Sequence, residues 1–243
     1  MSSSLQIDAG NSAVKWRRVA SGRSLAEGRC DLRATDGLGP LQSEARLVDE
    51  VWISSVLTDA DEEELRRTLP DDVPTFIAAS EARCAGVTNS YKEPRSMGVD
   101  RWLTLLAARR RVPDRVCVVD AGTALTIDLL GADGAHEGGY IIAGRELMQA
   151  ALFAGTARVR SADPGWSANP GTSTAGAVGG GATLALAGAL REALRRAGDP
   201  EPRLLVTGGD GAALVEVAGL AAERVDDLVF EGLEIARFAR SGI

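Results

Sequence analysis

The sequence predicts a duplicated α/β protein of 243 residues whose two halves meet near residue 113. The main observation is a repeated turn. IDAGNS at residues 7–12 returns as VDAGTA at residues 119–124, so Asp8 and Asp120 lie 112 positions apart (120 − 8 = 112). In each half the repeat opens a series of short strands that continues into mixed strand and helix patterns. This succession is typical of a duplicated α/β protein and not of a short-period solenoid.

The first half, residues 1–113, opens with a predicted β-hairpin. LQID and AVKWRRVA flank the turn residues AGNS, and SGRSLAEGRCDL supplies a third strand. The apolar runs VWISSVL and VPTFIA predict strands on either side of the helix DADEEELRRTL, whose acidic residues precede its arginines as the helix dipole favours. SYKEPRSMGVD is predicted as a loop by its Pro, Gly and Ser content, and RWLTLLAARRR as a helix that ends before Pro113.

The second half, residues 114–243, repeats this order. RVCVVD, ALTIDLL and HEGGYIIAG predict three strands, and GRELMQAALFAG predicts a helix. Another helix is predicted from Thr174 to about Ala197, although the glycines at 179–181 weaken its start by about 1 kcal/mol each relative to alanine. RLLVTGGDGAAL then indicates a strand, a glycine-rich turn and a helix, and DLVFEGLEIARFAR a closing amphipathic helix.

Composition excludes several classes of protein. A net charge of −7 with a pI near 4.9 argues against a nucleic-acid surface, which needs a basic excess. The three cysteines have neither metal-ligand nor redox spacing, as expected in a reducing cytoplasm. The N-terminus lacks a signal pattern and no apolar run approaches membrane-spanning length, so we expect a cytoplasmic protein with no membrane partner. The single histidine, His136, precedes a glycine-rich strand and is expected to be exposed, without a catalytic role.

The repeated turn has the chemistry of a phosphate-binding hairpin. Gly10 and Gly122 permit a tight turn whose backbone N–H groups can converge on an anion. The aspartate at each strand end can hold a cation that neutralises phosphate charge, and Lys15 can reach the same phosphates. Further donors are the side chains of Asn11, Ser12, Thr123 and Thr126.

A single D-A-G turn is more simply interpreted as an ordinary hairpin without a ligand. Two copies half a chain apart, together with the turn VTGGDG at 206–211, favour a cleft between the two halves that grips a polyphosphate. A P-loop is absent from the sequence, as is a GxGxxG motif after the first strand, and this disfavours the corresponding nucleotide-binding folds.

These segments carry a resemblance to a known superfamily. DAGNSAVK, VDAGTALTID and VTGGDG resemble the phosphate-1, phosphate-2 and adenosine segments of the acetate and sugar kinase, heat-shock cognate and actin superfamily. YKEPRSMGVDRW at 91–102 is similar to the Y…GxDR segment of type III pantothenate kinases, and GGYIIAGRELMQAALFAGTARV at 138–159 resembles that family's GG-Y-I…GTA stretch. The resemblance spans nearly the whole chain.

The resemblance implies a fold and an activity. The fold would be two ribonuclease H-like (actin-like ATPase) domains, each a mixed sheet with helices, and a cleft between them. The activity would be phosphorylation of pantothenate by ATP, the first step of coenzyme A synthesis. It further implies Mg²⁺, a monovalent cation (K⁺ or NH₄⁺) and a homodimer with the active site near the subunit interface.

The GxDR resemblance assigns the substrate side of the site. From the residues alone, Asp100 is equally suited to capping the helix that follows it and to acting as the catalytic base, and the resemblance makes it the base. Arg101 would bind an anionic or polar part of the substrate, since its fork of donors suits a carboxylate or phosphate. Gly98 and Val99 would bring the backbone to the substrate, and Tyr91 would contact it.

The remaining assignments concern the nucleotide, the cations and one helix start. Asp8 would lie on the magnesium side, Asp120 would bind the monovalent cation and Thr123 would contact ATP. The family's substrate-binding threonine fits Thr174, while Thr172 competes because GTSTAGAVGGG matches the family pattern irregularly. Asp128 could face the same cleft. The residues that would bind ATP in the first half are Asp8, Ala9, Gly10, Asn11, Ser12, Ala13, Val14 and Lys15.

Two other functions compete with the pantothenate kinase. One is a non-catalytic regulatory or transcription accessory protein on the same fold, which would show a basic face or an eroded catalytic set. The other is a kinase for another small acceptor, since a fold by itself does not determine the substrate.

Overall fold

The computed structural model describes residues 3–31, 37–154 and 165–240. Its elements, in chain order, are twelve strands and seven α-helices within these ranges. The strands are β1 (Ser3–Ala9), β2 (Val14–Ala20), β3 (Arg23–Cys30), β4 (Glu50–Ser55), β5 (Thr75–Ile77), β6 (Arg83–Cys84), β7 (Val87–Thr88), β8 (Val116–Ala121), β9 (Ala124–Leu130), β10 (His136–Ala143), β11 (Arg203–Thr207) and β12 (Glu223–Arg224). The helices are α1 (Gly39–Ala45), α2 (Asp59–Thr68), α3 (Val99–Arg111), α4 (Arg145–Ala154), α5 (Thr174–Ala197), α6 (Gly211–Ala218) and α7 (Leu228–Arg240).

The chain forms two compact units. One combines the residues up to Ala107 with the C-terminal segment from Leu228, and the other contains Ala108–Asp227. The sheet of the first unit has the strand order β3-β2-β1-β4-β5, with β1, β2 and β3 antiparallel and with β4 and β5 joining in parallel. The sheet of the second unit has the order β10-β9-β8-β11-β12 with the same pattern of directions. The α/β duplication predicted from the repeated turn is therefore confirmed.

Strand alternation gives each sheet an apolar face. In the first unit, Leu5, Ile7 and Ile53 point into a core that also contains helix residues such as Leu41 and Leu65. The corresponding core of the second unit contains strand residues packed against α5 and α6, among them Val119, Ile127, Leu190 and Leu214. The predicted aspartates, Asp8 and Asp120, lie on the opposite face of each sheet, together with buried side chains such as Gln6 and Val118.

The last helix, α7, groups with the first unit and not with the half assigned to it from the sequence. Its Glu234 accepts hydrogen bonds from Gln6 (2.9 Å) and Arg17 (3.0 Å), and its Arg237 donates to Glu50 (2.9 Å). An amphipathic pattern predicts that a helix covers a sheet but does not indicate which sheet it covers. The partners on β1, β2 and β4 decide this.

Several short elements have no counterpart in the sequence analysis. They are α1, the β6–β7 hairpin, a 3₁₀ turn at Pro94–Ser96 and β12. All are too short for a clear periodic signal. Residues 155–159, which end the GG-Y-I…GTA resemblance, lie outside the described ranges. None of the described helices combines the length and apolar character that crossing a membrane requires.

Candidate functional site

The first D-A-G turn joins β1 to β2. The Gly10 N–H donates to the Ala13 carbonyl (3.1 Å), which closes the turn, and Asn11 and Ser12 are exposed at its tip. Antiparallel pairing places Asp8 directly opposite Lys15. Directly opposed residues on neighbouring strands have their side chains on the same face, so the side chains of Asp8 and Lys15 both project from one face at the end of the hairpin.

The next pair of residues on this face, Gln6 and Arg17, contacts α7. Gln6 lies opposite Arg17, and the Arg17 Nε donates to the Gln6 amide oxygen (2.7 Å) while both side chains bind Glu234. Arg17 also lies 4.8 Å from the ring centroid of Phe230. These contacts fix the two strands relative to each other two register positions away from Asp8 and Lys15.

The loop before α3 is held by buried side chains. The Ser80 hydroxyl donates to the Met97 carbonyl (2.9 Å), and the Asn89 carboxamide accepts from the Tyr91 N–H (2.9 Å). Tyr91 is thereby directed at Arg101, whose Nη1 donates to the tyrosine hydroxyl (2.9 Å). The Arg101 guanidinium is almost fully buried and lies 5.8 Å from the Tyr91 ring centroid.

Asp100 lies in the first turn of α3. One carboxylate oxygen accepts from the Arg101 N–H (2.7 Å), so the side chain also interacts with the positive end of the helix. A side chain at position 98 would place its Cβ 2.6 Å from this oxygen. Glycine is therefore favoured at this position for steric reasons, in addition to the expected approach of the backbone to the substrate. The structure therefore brings Tyr91, Gly98, Asp100 and Arg101 together in one cluster, with the buried Val99 between them.

The second D-A-G turn is joined by the glycine-rich turn that was predicted separately. Asp120, the residue before the last in β8, lies beside Thr207 of the parallel strand β11, and the Asp210 N–H donates to the Ala121 carbonyl (3.0 Å). Gly208 has a positive φ of 86°, and a Cβ there would lie 2.5 Å from an Asp120 carboxylate oxygen. Asp120 and VTGGDG therefore form one local site within the second unit.

The turn after Asp120 is enclosed by the start of α4. The Gly144 N–H donates to the Thr123 carbonyl (2.8 Å), and a Cβ on Gly144 would overlap the backbone of Gly122 and Thr123. Thr123 itself is exposed. The N-terminus of a helix, which carries a partial positive charge, thus adjoins the turn for which an ATP contact was predicted.

The helix predicted from Thr174 to about Ala197 begins and ends at these residues. Ser173 caps it, with its hydroxyl accepting from the Gly176 N–H (3.0 Å), and Thr174 is exposed in the first turn. Packing explains one of the glycines that weaken the start of this helix. A Cβ on Gly180 would lie 2.7 Å from the Asn169 carbonyl of the preceding loop.

The expectation that His136 is exposed is wrong. Its ring is buried, and Nε2 lies 3.0 Å from a carboxylate oxygen of Asp128, which is also buried. The pairing of β9 and β10 brings these two residues together, and this could not be read from a hairpin pattern. Asp128 is on the same face as Asp120, since Asp120 pairs with Thr126, but it is buried and its carboxylate contacts His136.

The arginine at the start of α4 is buried. Arg145 donates through Nε to the Thr183 hydroxyl (3.2 Å) and through Nη2 to the Gly165 carbonyl (2.6 Å), and it lies 5.4 Å from the Trp166 ring centroid. Its position at the start of a predicted helix does not indicate that it is buried. Trp166 packs against this cation and the core of the second unit.

The residues present fit Mg²⁺ and ATP in the manner expected of a kinase. Among the described residues there is no cluster of three or more His, Cys, Asp or Glu side chains that would form an all-protein metal cage. Mg²⁺ is commonly held by one or two carboxylates together with water and substrate phosphates, which Asp8 beside Lys15 can serve. Ser54, adjacent to Asp8, is buried, and its hydroxyl group has no hydrogen-bond partner within the described ranges.

Comparison with known proteins decides the family. Residues 4–196 match the model of a family described as type III pantothenate kinase. The chain belongs to the type III pantothenate kinase family. The type III pantothenate kinase of Thiobacillus denitrificans is 40% identical over 240 residues, covering 97% of this chain and 96% of that protein. That of Halorhodospira halophila is 39% identical over 249 residues, covering 94% and 95%. The family resemblance predicted from GxDR and the D-A-G turns is confirmed.

Solved structures support the fold. A protein from Campylobacter jejuni titled a putative Baf family transcriptional activator aligns with a TM-score of 0.62 at 18% identity, covering 98% of this chain and 100% of that one. A putative 2-dehydro-3-deoxygalactonokinase from Sinorhizobium meliloti gives 0.60 at 18% identity, covering 98% and 99%. MreB 5 of Spiroplasma citri gives 0.51 at 10% identity, covering 100% and 99%. The fold is that of the actin-like ATPases and sugar kinases, as predicted.

Proposed function

We propose that this protein transfers the γ-phosphoryl group of ATP to the primary hydroxyl of pantothenate, giving 4′-phosphopantothenate and ADP, in the first step of coenzyme A biosynthesis. Membership of the type III pantothenate kinase family supports the reaction. The observation that carries the assignment is the cluster of Asp100, Arg101 and Tyr91. It combines a carboxylate, a guanidinium fork and a phenol at the start of one helix.

Asp100 is proposed as the base. The pantothenate hydroxyl oxygen forms a bond to the γ-phosphorus, the bond from that phosphorus to the β–γ bridging oxygen breaks, and the hydroxyl proton passes to the Asp100 carboxylate. One oxygen of this carboxylate is held by the Arg101 N–H, which orients the group. Since most of phosphoryl transfer consists of positioning and charge neutralisation, a fixed carboxylate is the contribution expected from this helix start.

Arg101 and Tyr91 are proposed to bind the acceptor. A guanidinium fork recognises a carboxylate, and pantothenate carries one. Burial of Arg101 beneath Tyr91 strengthens such a charge interaction by lowering the local dielectric. Gly98 and Val99 complete the segment, and Thr174, exposed in the first turn of α5, is the proposed additional substrate contact, with Thr172 as its competitor.

ATP is proposed to lie on the two D-A-G turns. Residues 8–15 would bind phosphates through the turn and Lys15, and Thr123 would contact the nucleotide from the second turn. Asp8 would hold Mg²⁺, whose charge would neutralise the phosphate oxygens. Asp120, closely approached by Gly208, is the proposed ligand of a monovalent cation, K⁺ or NH₄⁺.

We also propose a homodimer whose interface lies close to the active site. Eight large apolar side chains of the described residues are exposed, and five of them belong to β10, α4 and α5 of the second unit. The five are Tyr140, Ile141, Leu147, Leu152 and Leu184. Since α5 also carries Thr174, an interface on this helix would lie on the same element as a proposed substrate contact.

Light scattering after gel filtration tests the dimer. Leu147→Glu with Leu152→Glu should convert the protein to a monomer, whereas Leu25→Glu, an exposed leucine of the first unit, should leave the dimer intact. A wild-type protein that is monomeric at micromolar concentration would contradict the proposal. The location proposed for the enzyme is the cytoplasm, where its three free thiols would stay reduced.

The activity is tested by ADP release with ATP, Mg²⁺ and pantothenate, measured in K⁺ or NH₄⁺ and again in Na⁺. We expect pantothenate-dependent turnover that falls in Na⁺ and that drops by about 10²–10⁴-fold in Asp100→Asn. Asp59→Asn is the matched control, because Asp59 is also an acid in the first turn of a helix of the first unit. If turnover does not depend on pantothenate in any of the salts, the proposed reaction is refuted. An Asp100→Asn enzyme that remains active would refute the role of Asp100 as the base.

A further inference from the structure

Ser54 occupies an unusual position beside the first D-A-G turn. It lies on β4, which pairs in parallel with β1, and its register partner is Asp8. Side chains of such partners share a face, because neighbouring strands are about 4.8 Å apart and alternate in step. Trp52 and Ser54 therefore lie on the face of Asp8, while Ile53 points into the opposite core.

The Ser54 hydroxyl is buried, and it has no hydrogen-bond partner among the residues that the structure describes. A buried hydroxyl group without a partner is costly, and alanine would fit the same space without that cost. The position therefore calls for an explanation that the ligand-free structure does not contain. An acceptor that moves within reach when ligands bind would supply one.

The second unit repeats the arrangement. Asp120 of its D-A-G turn is the register partner of Thr207 on the parallel strand β11. Thr207 is also buried, and its hydroxyl donates only a long hydrogen bond, 3.4 Å, to the Asp226 carbonyl. Both copies thus place a buried hydroxyl-bearing residue next to the aspartate near the end of the first strand of the repeat.

We propose that Ser54 is a positioning residue for Asp8. Its hydroxyl donates a hydrogen bond to one oxygen of the Asp8 carboxylate in the Mg²⁺–nucleotide complex, which leaves the other oxygen for the metal. A carboxylate can only accept, and the serine hydroxyl is a donor of suitable reach on the adjacent strand. Such partners of a metal-binding carboxylate fix its orientation. This inference rests on the proposed role of Asp8 in holding Mg²⁺.

The test measures binding without turnover. Isothermal titration with a non-hydrolysable ATP analogue, in Mg²⁺ and in EDTA, is applied to wild type, Ser54→Ala, Ser54→Cys and Asp8→Asn. We expect both Ser54 variants to bind the analogue about 10–100-fold more weakly in Mg²⁺ and unchanged in EDTA. Cysteine fills the space of serine but is a weak hydrogen-bond donor. If Ser54→Cys binds the analogue as weakly as Ser54→Ala, a cavity is excluded as the cause of the weaker binding. Ser55→Ala, one residue along on the opposite face, is the control and should bind as wild type does.

Thermal unfolding without ligands separates positioning from a structural role. Loss of a buried, unpartnered hydroxyl should leave the Tm of Ser54→Ala unchanged or raise it. A lowered Tm with unchanged Mg²⁺-dependent binding would show a structural role and overturn the inference. If Asp8→Asn loses Mg²⁺-dependent binding while Ser54→Ala keeps it, only this inference fails. If Asp8→Asn also binds as wild type does, the proposed role of Asp8 fails first.

Discussion

Replacing Gly208 with alanine tests whether the glycine-rich turn is built around Asp120. Gly208 has a φ of +86°, and a Cβ there would lie against the Ala121 carbonyl and 2.5 Å from an Asp120 carboxylate oxygen. The carbonyl is backbone and accepts a hydrogen bond from the Asp210 N–H (3.0 Å), so it cannot withdraw without loss of this bond. Strain and crowding therefore act together at this position.

The expected cost has two parts. A left-handed conformation costs a residue with a Cβ roughly 1–2 kcal/mol. Crowding in a packed region adds roughly 1–3 kcal/mol. The sum is roughly 2–5 kcal/mol, which for a chain of this length corresponds to a fall in Tm of about 4–20 °C.

The assay is thermal unfolding followed by circular dichroism, with Gly209→Ala as the control. Gly209 is the next residue in the same turn, but a Cβ there would meet nothing within 4 Å and its φ is not positive. We expect Gly209→Ala to unfold within about 2 °C of wild type, since such surface changes are worth about 0.5 kcal/mol. If Gly208→Ala were as stable as Gly209→Ala, the close approach to Asp120 described above would be refuted.

Three further predictions concern groups outside the proposed active site. Burial raises the pKa of the Cys117 thiol to about 12, so roughly one molecule in 10⁴ carries the thiolate at pH 8. Cys117 should therefore react with a disulfide reagent only after unfolding. Rapid labelling of this residue in the native protein, identified by mass spectrometry, would contradict this. His136→Leu should lower the free energy of unfolding by about 3 kcal/mol, because Asp128 stays buried without its imidazole partner. His136→Gln should lower it by less, and chemical denaturation measures both values. Equal losses in the two variants would argue against the hydrogen bond. Hydrogen bonds from the backbone N–H and the hydroxyl of Ser3 lower the pKa of Asp49, so its stabilising contribution is present above the ordinary carboxyl pKa and is lost as the pH falls through the lowered one. Asp49→Asn should therefore be less stable than wild type at pH 7, and the difference should shrink in acid; a difference that persists at pH 2 would show another cause.

Much of the fold was predictable because its signals are local. The hairpin around Gly10 and its copy around Gly122 follow from strand alternation interrupted by turn residues. The helix that begins at Thr174 follows from periodicity, with the cap at Ser173 beside it. The segments of the proposed site were also found locally, since GVDR and D-A-G are short contiguous motifs.

The larger errors involve contacts that are made by strand pairing or between residues far apart in the chain. His136 was expected to be exposed, but strand pairing buries it against Asp128. The closing helix was assigned to the second half, but Glu234 binds Gln6 from the first strand, 228 residues away. Arg145 gave no sign of burial because its partner Thr183 lies 38 residues further along the chain.

By itself the sequence determined the duplication, the family and the turns that carry the proposed site, because each depends on residue order within a few positions. Only the tertiary structure decided what surrounds those residues. Parallel pairing of β1 with β4 sets Ser54 beside Asp8, and pairing of β8 with β11 brings Gly208 to Asp120. The register between strands distant in the chain depends on how whole faces pack, and no local pattern contains that information.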